Sequence, residues 1–175
     1  MLSNSLQNKK IIISAGASGI GWATTKICVA KGASVYLCDI DLKAINKVKK
    51  HPLYNKRIFV SEADASDETQ VIDFFNQIKR KFKNLDALIN NVGIEGPTRP
   101  IEKLDSNEWE NTLHVNVNSH FYFTKQAIPL LKYQIQKRNL LVVVVFLFRF
   151  NENKFLECEF DKSSDSKRTK LFKIF

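Results

Sequence analysis

Residues Ser14 to Gly21 read SAGASGIG and stand between an isoleucine run that suits a strand and a segment with helical spacing. A strand-to-helix turn leaves the first N–H groups of the helix without partners and points the positive end of its dipole outward. Gly16, Gly19 and Gly21, interleaved with Ser14, Ser18 and Ile20, let a ligand approach that backbone, so the chemistry on offer is anion binding of the pyrophosphate kind. Eighteen residues after Gly21 the next apolar run ends in Cys38, Asp39 and Ile40. A carboxylate there accepts hydrogen bonds from sugar hydroxyls and repels a phosphate on the same sugar. Ser18 and Ile40 supply no cation for such a phosphate, and the neighbouring Asp41 suits a helix cap better than a ligand contact.

Glu62-Ala63-Asp64-Ala65 and Asn90-Asn91-Val92-Gly93 close two further apolar runs, and Asp67 has the position of a helix-capping acid. His114-Val115-Asn116-Val117-Asn118 falls inside a helical stretch, where asparagine is unfavourable because its side chain competes for backbone hydrogen bonds. His114 and His120 have no acid or second ligand at metal-ligand spacing and read as helix-surface residues, so no metal site is expected.

The elements that must position these groups alternate β-branched runs with amphipathic stretches. Strands are expected at Ile11 to Ser14, Ser34 to Cys38, Arg57 to Val60, Leu85 to Ile89 and Leu140 to Phe146. Helices are expected from Gly19 to Lys31, Asp41 to Lys50, Asp67 to Phe82, and as one continuous helix from Asp105 to about Tyr133, opened by an Asp105/Glu108 capping box. Right-handed crossovers turn this order into an α/β, Rossmann-like doubly wound parallel sheet of order 3-2-1-4-5, incomplete at about five strands. Ligands bind such a sheet beyond the C-terminal ends of its strands, where the strand order reverses, and the motifs fall there. The domain is expected to cover 8–148, followed by a polar, charged, poorly ordered tail over 149–175.

Composition narrows the partners. The net charge of +9 comes from Lys and Arg spread along the chain without a basic stripe, so a nucleic-acid partner is not expected. The most hydrophobic run, Leu140 to Phe148, falls short of the about 20 residues a membrane helix needs, so no membrane partner is expected. Three cysteines, an odd number, suit a reducing cytoplasm.

Taken together, these stretches resemble the short-chain dehydrogenase/reductase family, classical type, over roughly residues 8 to 135. The first turn is similar to the family's T-G-x-x-x-G-x-G, with Ser14, Gly19 and Gly21 in register. Ala15 stands where the first glycine normally sits, and Gly16 is expected to supply the flexibility instead. Asn90 to Gly93 matches the family's N-N-A-G with Val92 in place of Ala, and Asp64-Ala65 resembles its Asp-Val pair beside the adenine. The resemblance implies NAD rather than NADP, with Asp39 on the adenosine ribose, and hydride transfer between the nicotinamide and a small-molecule alcohol or ketone. It further implies a catalytic part for Asn116 in holding a relay water, cofactor contacts from Asn91 and Gly93, and a homo-oligomer formed through the long helix.

The family pattern then stops. Its strand-five Ser and the following Tyr and Lys have no counterpart in Val143-Val144-Val145-Phe146-Leu147-Phe148 or beyond. Tyr133 and Lys137 share the Y-x-x-x-K spacing but precede strand five, so they are not expected to be catalytic. The reading is therefore a C-terminally truncated or frame-disrupted oxidoreductase of CH–OH groups, inactive as written, with a noncatalytic NAD-binding or homologue-pairing module as the alternative. The break between Lys132 and Asn139 is abrupt, which leads us to expect the missing Ser and Y-x-x-x-K in another reading frame downstream of codon 131.

Overall fold

The computed structural model describes residues 5–136 and 141–144. Strand β1 is Lys10–Ile13, β2 Ser34–Asp39, β3 Ile58–Glu62, β4 Ala87–Asn90 and β5 Leu141–Val144. All pairings are parallel and the order is β3-β2-β1-β4-β5, as the alternation of runs implies. Helices α1 (Gly19–Ala30) and α2 (Leu42–Lys49) connect the first three strands, and α3 (Glu68–Lys81) crosses back to β4. The expected end of strand five at Val145 and Phe146, and the expected tail over 149–175, lie outside the described residues.

Strands β1, β2 and β4 are apolar on both faces because helices cover both. Ile11, Ile13, Val35 and Leu37 point to one side, where Cys28, Val29, Ala44, Ile45 and Val48 of α1 and α2 meet them. Ile12, Tyr36, Cys38 and Leu88 point to the other, against Val71, Phe74, Phe75 and Ile78 of α3. The same layer receives Phe123, Ala127 and Leu131 from the last helix.

One element departs from expectation. The single helix expected from Asp105 is divided into α4 (Ser106–Leu113), a five-residue π-turn at His114–Asn118, and α5 (Ser119–Gln136). A π-turn widens the helix by one residue and marks a place where a side chain has been given another task. Here that side chain is Asn116, whose carboxamide hydrogen-bonds Ile94 in the loop after β4. The expected capping box is half formed. Asp105 accepts from the Asn107 and Glu108 amides, while the Glu108 carboxylate turns to Arg99 at 2.6 Å.

Phe123 is fully buried, with its ring 5.6 Å from that of Phe74 and 5.5 Å from that of Phe75. Phe123→Ala is expected to lower unfolding free energy by about 3–5 kcal/mol, read from chemical denaturation, because the cavity cannot close beside the rigid rings of Phe74 and Phe75.

Candidate functional site

Parallel strands end on one edge, and that edge gathers every candidate residue. Ser14 follows β1, Asp39 ends β2, Asp64 and Ala65 follow β3, and Asn91 and Gly93 follow β4. Ser14 is fully buried, and its hydroxyl accepts the backbone N–H groups of Asn91 at 2.9 Å and Val92 at 3.2 Å. The Asn91 carboxamide returns the link, donating to the carbonyls of Ser14 at 3.2 Å and Ala15 at 2.9 Å. The turn after β1 is thereby fastened to the end of β4.

Ala15 itself takes the left-handed conformation, φ 49°. The expectation that Gly16 would supply the missing flexibility is therefore wrong. Gly16 is needed for another reason, since a Cβ there would meet Leu37 Cβ at 2.7 Å. Gly21 is equally constrained, because a Cβ would lie 2.6 Å from Asn91 Nδ2 and closer still to the Ala15 carbonyl. Gly19, at φ 50°, faces open space.

The start of α1 differs from those of α2, α3 and α4. Asp41, Asp67 and Asp105 each accept from two backbone amides at the start of their helices, as read for all three from sequence. Ser18 makes no such bond, and the first turn of α1 holds no acid. Exposed Ser18, Gly19 and Ile20 thus leave backbone donors and the positive dipole end turned to the open side of Gly19, which fits a pyrophosphate.

Asp39 is buried, and its carboxylate binds both neighbouring turns, accepting from Ala17 N at 3.0 Å and from Asp41 N at 3.1 Å. Two acceptor oxygens hold more lone pairs than these two bonds occupy. Ile40 beside it is exposed. Asp64 curls onto Ser66, accepting from its amide at 2.8 Å and its hydroxyl at 2.7 Å, while Ala65 is buried. Cys38 is buried beside Asp39, and burial pushes its thiol up to about 12, which removes it as a nucleophile.

Asn116 is joined to the loop after β4 at both ends of its carboxamide. Oδ1 accepts from Ile94 N at 2.7 Å and Nδ2 donates to Ile94 O at 2.8 Å. His114 is exposed as expected, but His120 is not a surface residue. It is buried, with Nε2 at 3.0 Å from the Val92 carbonyl. The signal was its spacing of four from Asn116, which puts both on one helix face. Tyr133 lies on the other end of α5. The preceding turn bonds through Leu130 O to Leu85 N, just before β4 begins, at the edge opposite the candidate site. Lys137 is outside the described residues. Among the described residues no His, Cys, Asp and Glu cluster could hold a metal ion, and no helix is long and apolar enough to cross a membrane.

A family profile described as short chain dehydrogenase matches residues 9–145. A CLA biosynthesis dehydrogenase/reductase of Lactiplantibacillus plantarum is 32% identical over 138 residues, covering 78% of this chain and 48% of that protein. A 3beta-hydroxysteroid dehydrogenase 2 of Eggerthella lenta is 30% identical over 124 residues, covering 70% of this chain and 48% of that protein. The solved structure of a short chain dehydrogenase from Pseudomonas syringae superposes with a TM-score of 0.67 at 28% identity, covering 73% of this chain and 53% of that one. The chain thus spans about half the length of these relatives.

Two outcomes test this geometry. A left-handed conformation costs an L-residue about 1–2 kcal/mol, so Ala15→Gly is expected to raise unfolding free energy by about 1 kcal/mol in denaturant titration. Burial also holds the His120 imidazole below its ordinary value of 6.5, with the Val92 carbonyl opposing the shift. The unfolded chain then takes up this proton more readily than the folded one. The contribution is complete above about pH 6.5 and declines as pH falls toward the depressed folded value. Unfolding midpoints at about pH 5 and pH 8 should differ less in His120→Gln than in the unaltered chain.

Proposed function

The chain belongs to the short-chain dehydrogenase family of oxidoreductases, and from that premise we propose that it forms the NAD(H)-binding half of an enzyme acting on an alcohol or ketone. The observation that carries the cofactor reading is the Asp39 carboxylate, fixed at the end of β2 by the Ala17 amide of the glycine turn. In this reading the adenosine ribose hydroxyls donate to Asp39 beside Ile40, and the adenine lies against Asp64 and Ala65. The pyrophosphate takes the donors at exposed Ser18, Gly19 and Ile20, and Gly21 allows its close approach. Ser14 and Gly16, whose amides bond the Ile89 and Cys38 carbonyls, hold the turn in shape, while Asn91 and Gly93 border the second ribose. Asp39 disfavours a 2′-phosphate by charge, which selects NAD over NADP. The bound dinucleotide supplies hydride chemistry. The chain's own contribution is to bind and orient it, with Asn116 bordering the reacting end.

We read the polypeptide of this sequence as noncatalytic. No hydroxyl stands at the end of β5, where Val143 and Val144 are followed by Val145 and Phe146, and no Tyr follows Tyr133 among the 175 residues. In this reading the 175 residues themselves supply neither general acid–base help nor oxygen polarisation, each of which contributes roughly 100-fold or more. A pairing role is favoured by a second observation. Trp109, Leu113, Val117 and Phe121 recur every four residues along α4, the π-turn and α5, and all four are exposed. An apolar stripe of that kind suits a second copy or a homologue of the chain. Buried free Cys28 and Cys38 support a reducing, cytoplasmic setting for the domain over 8–148.

Fluorescence titration should give NADH a Kd about tenfold below that of NADPH, a difference of ~1.4 kcal/mol, and Asp39→Ala should abolish the ratio. Equal affinities in the unaltered chain would refute the ribose assignment. A panel of alcohols and ketones with NAD(H) should show no turnover above background. Turnover lost in Tyr133→Phe would instead make that tyrosine catalytic.

A further inference from the structure

We infer that His120 is a positioning residue, which sets the loop after β4 by binding the Val92 carbonyl from the helix side. The functional consequence rests on the dinucleotide reading above. Residues 91 to 94 follow β4 at the point where the strand order reverses between β1 and β4, and they are held from two directions. From β1, the Ser14 hydroxyl accepts the Asn91 and Val92 amides at 2.9 and 3.2 Å. From the helix, Asn116 takes both backbone groups of Ile94, at 2.7 and 2.8 Å. Between these anchors, the carbonyl of Val92 is met by His120 Nε2 at 3.0 Å.

The chemistry at that contact has one solution. A carbonyl oxygen only accepts, so Nε2 must carry the proton. Burial keeps the ring neutral at neutral pH, which makes the Nε2–H tautomer the form present. Val92 is then bonded on both sides, by its amide to Ser14 of the β1 turn and by its carbonyl to the helix. His120 therefore couples the helix to the same turn that presents the anion-binding donors. The π-turn belongs to this arrangement, since it lies at His114–Asn118, directly before the turn that carries His120. A purely packing role would be served by any apolar side chain of similar volume. A positioning role requires a donor at the place of Nε2, which glutamine supplies and leucine does not.

The full chain should be compared with His120→Gln and His120→Leu by NADH titration and by hydrogen exchange of peptides spanning 88–96. We expect Leu to raise the Kd for NADH about tenfold, ~1.4 kcal/mol, and to accelerate exchange at 92–94 while β2 and β3 stay unchanged. Gln should restore both to within about twofold of the unaltered chain. Equal behaviour of Gln and Leu, or of Leu and the unaltered chain, would overturn the assignment. Should the unaltered chain bind no NADH, the dinucleotide reading fails, and the exchange pattern alone then decides for or against the His120 contact. Should Leu prevent folding, the 15N shifts of His120 in the unaltered chain decide it. A proton on Nε2 supports the inference, and one on Nδ1 alone overturns it.

Discussion

At the C-terminal ends of β1 and β4, Ser14 and Asn91 are buried side by side, and a buried polar group left without a partner costs about 1–3 kcal/mol. The two resolve this by bonding each other's strands: the Ser14 hydroxyl takes two amides leaving β4, and the Asn91 carboxamide takes two carbonyls leaving β1. Holding the Ala15 carbonyl against Asn91 goes with the left-handed backbone at Ala15 and with the approach of Gly21 so close that no Cβ fits. With the turn fastened in that way, α1 begins with its donors toward the open side of Gly19. The Asp39 carboxylate, bound to Ala17 N, fixes the same turn from β2. The candidate site is thus an outcome of how three strand ends satisfy their buried polar groups.

The apolar layers make those bonds possible by fixing the strand ends in register. Ile11, Ile12 and Ile13 alternate between two cores, one closed by α1 and α2 and the other by α3 and α5. A one-residue slip would move each of them to the wrong layer, which is why the register is strongly specified. Helices then present their N-termini at the strand C-terminal edge, three of them neutralised by an aspartate cap and α1 left uncapped. The distinction is electrostatic. A carboxylate in the first turn of α1 would occupy the donors and repel an anion, and none is there.

Some of the site was legible because its signals are local. The glycine spacing, the acid eighteen residues after Gly21 and the capping aspartates at positions 41 and 67 are properties of consecutive residues, and the structure gives them the local places expected. Ala15 and His120 were misread for the opposite reason. Alanine at a left-handed position runs against its own propensity, and a distant Asn91 helps to hold it there through its carbonyl. A histidine in a polar helical stretch reads as exposed until the loop that buries it, 28 residues earlier in the chain, is folded over it.

The sequence by itself determined the alternation of strands and helices, and through the handedness of crossovers the order β3-β2-β1-β4-β5. It also determined, to within one or two residues for β1 to β4, where those strands end, because period-two and period-3.6 patterns are written in neighbouring positions. Tertiary structure alone decided which polar groups those ends bind. It placed Asn91 on Ser14, Asp39 on Ala17 and Asn116 on Ile94, contacts between residues 22 to 77 positions apart. It also divided the long helix at a π-turn. Such choices depend on which donors and acceptors burial brings within about 3 Å of one another, and that distance has no counterpart in a linear pattern.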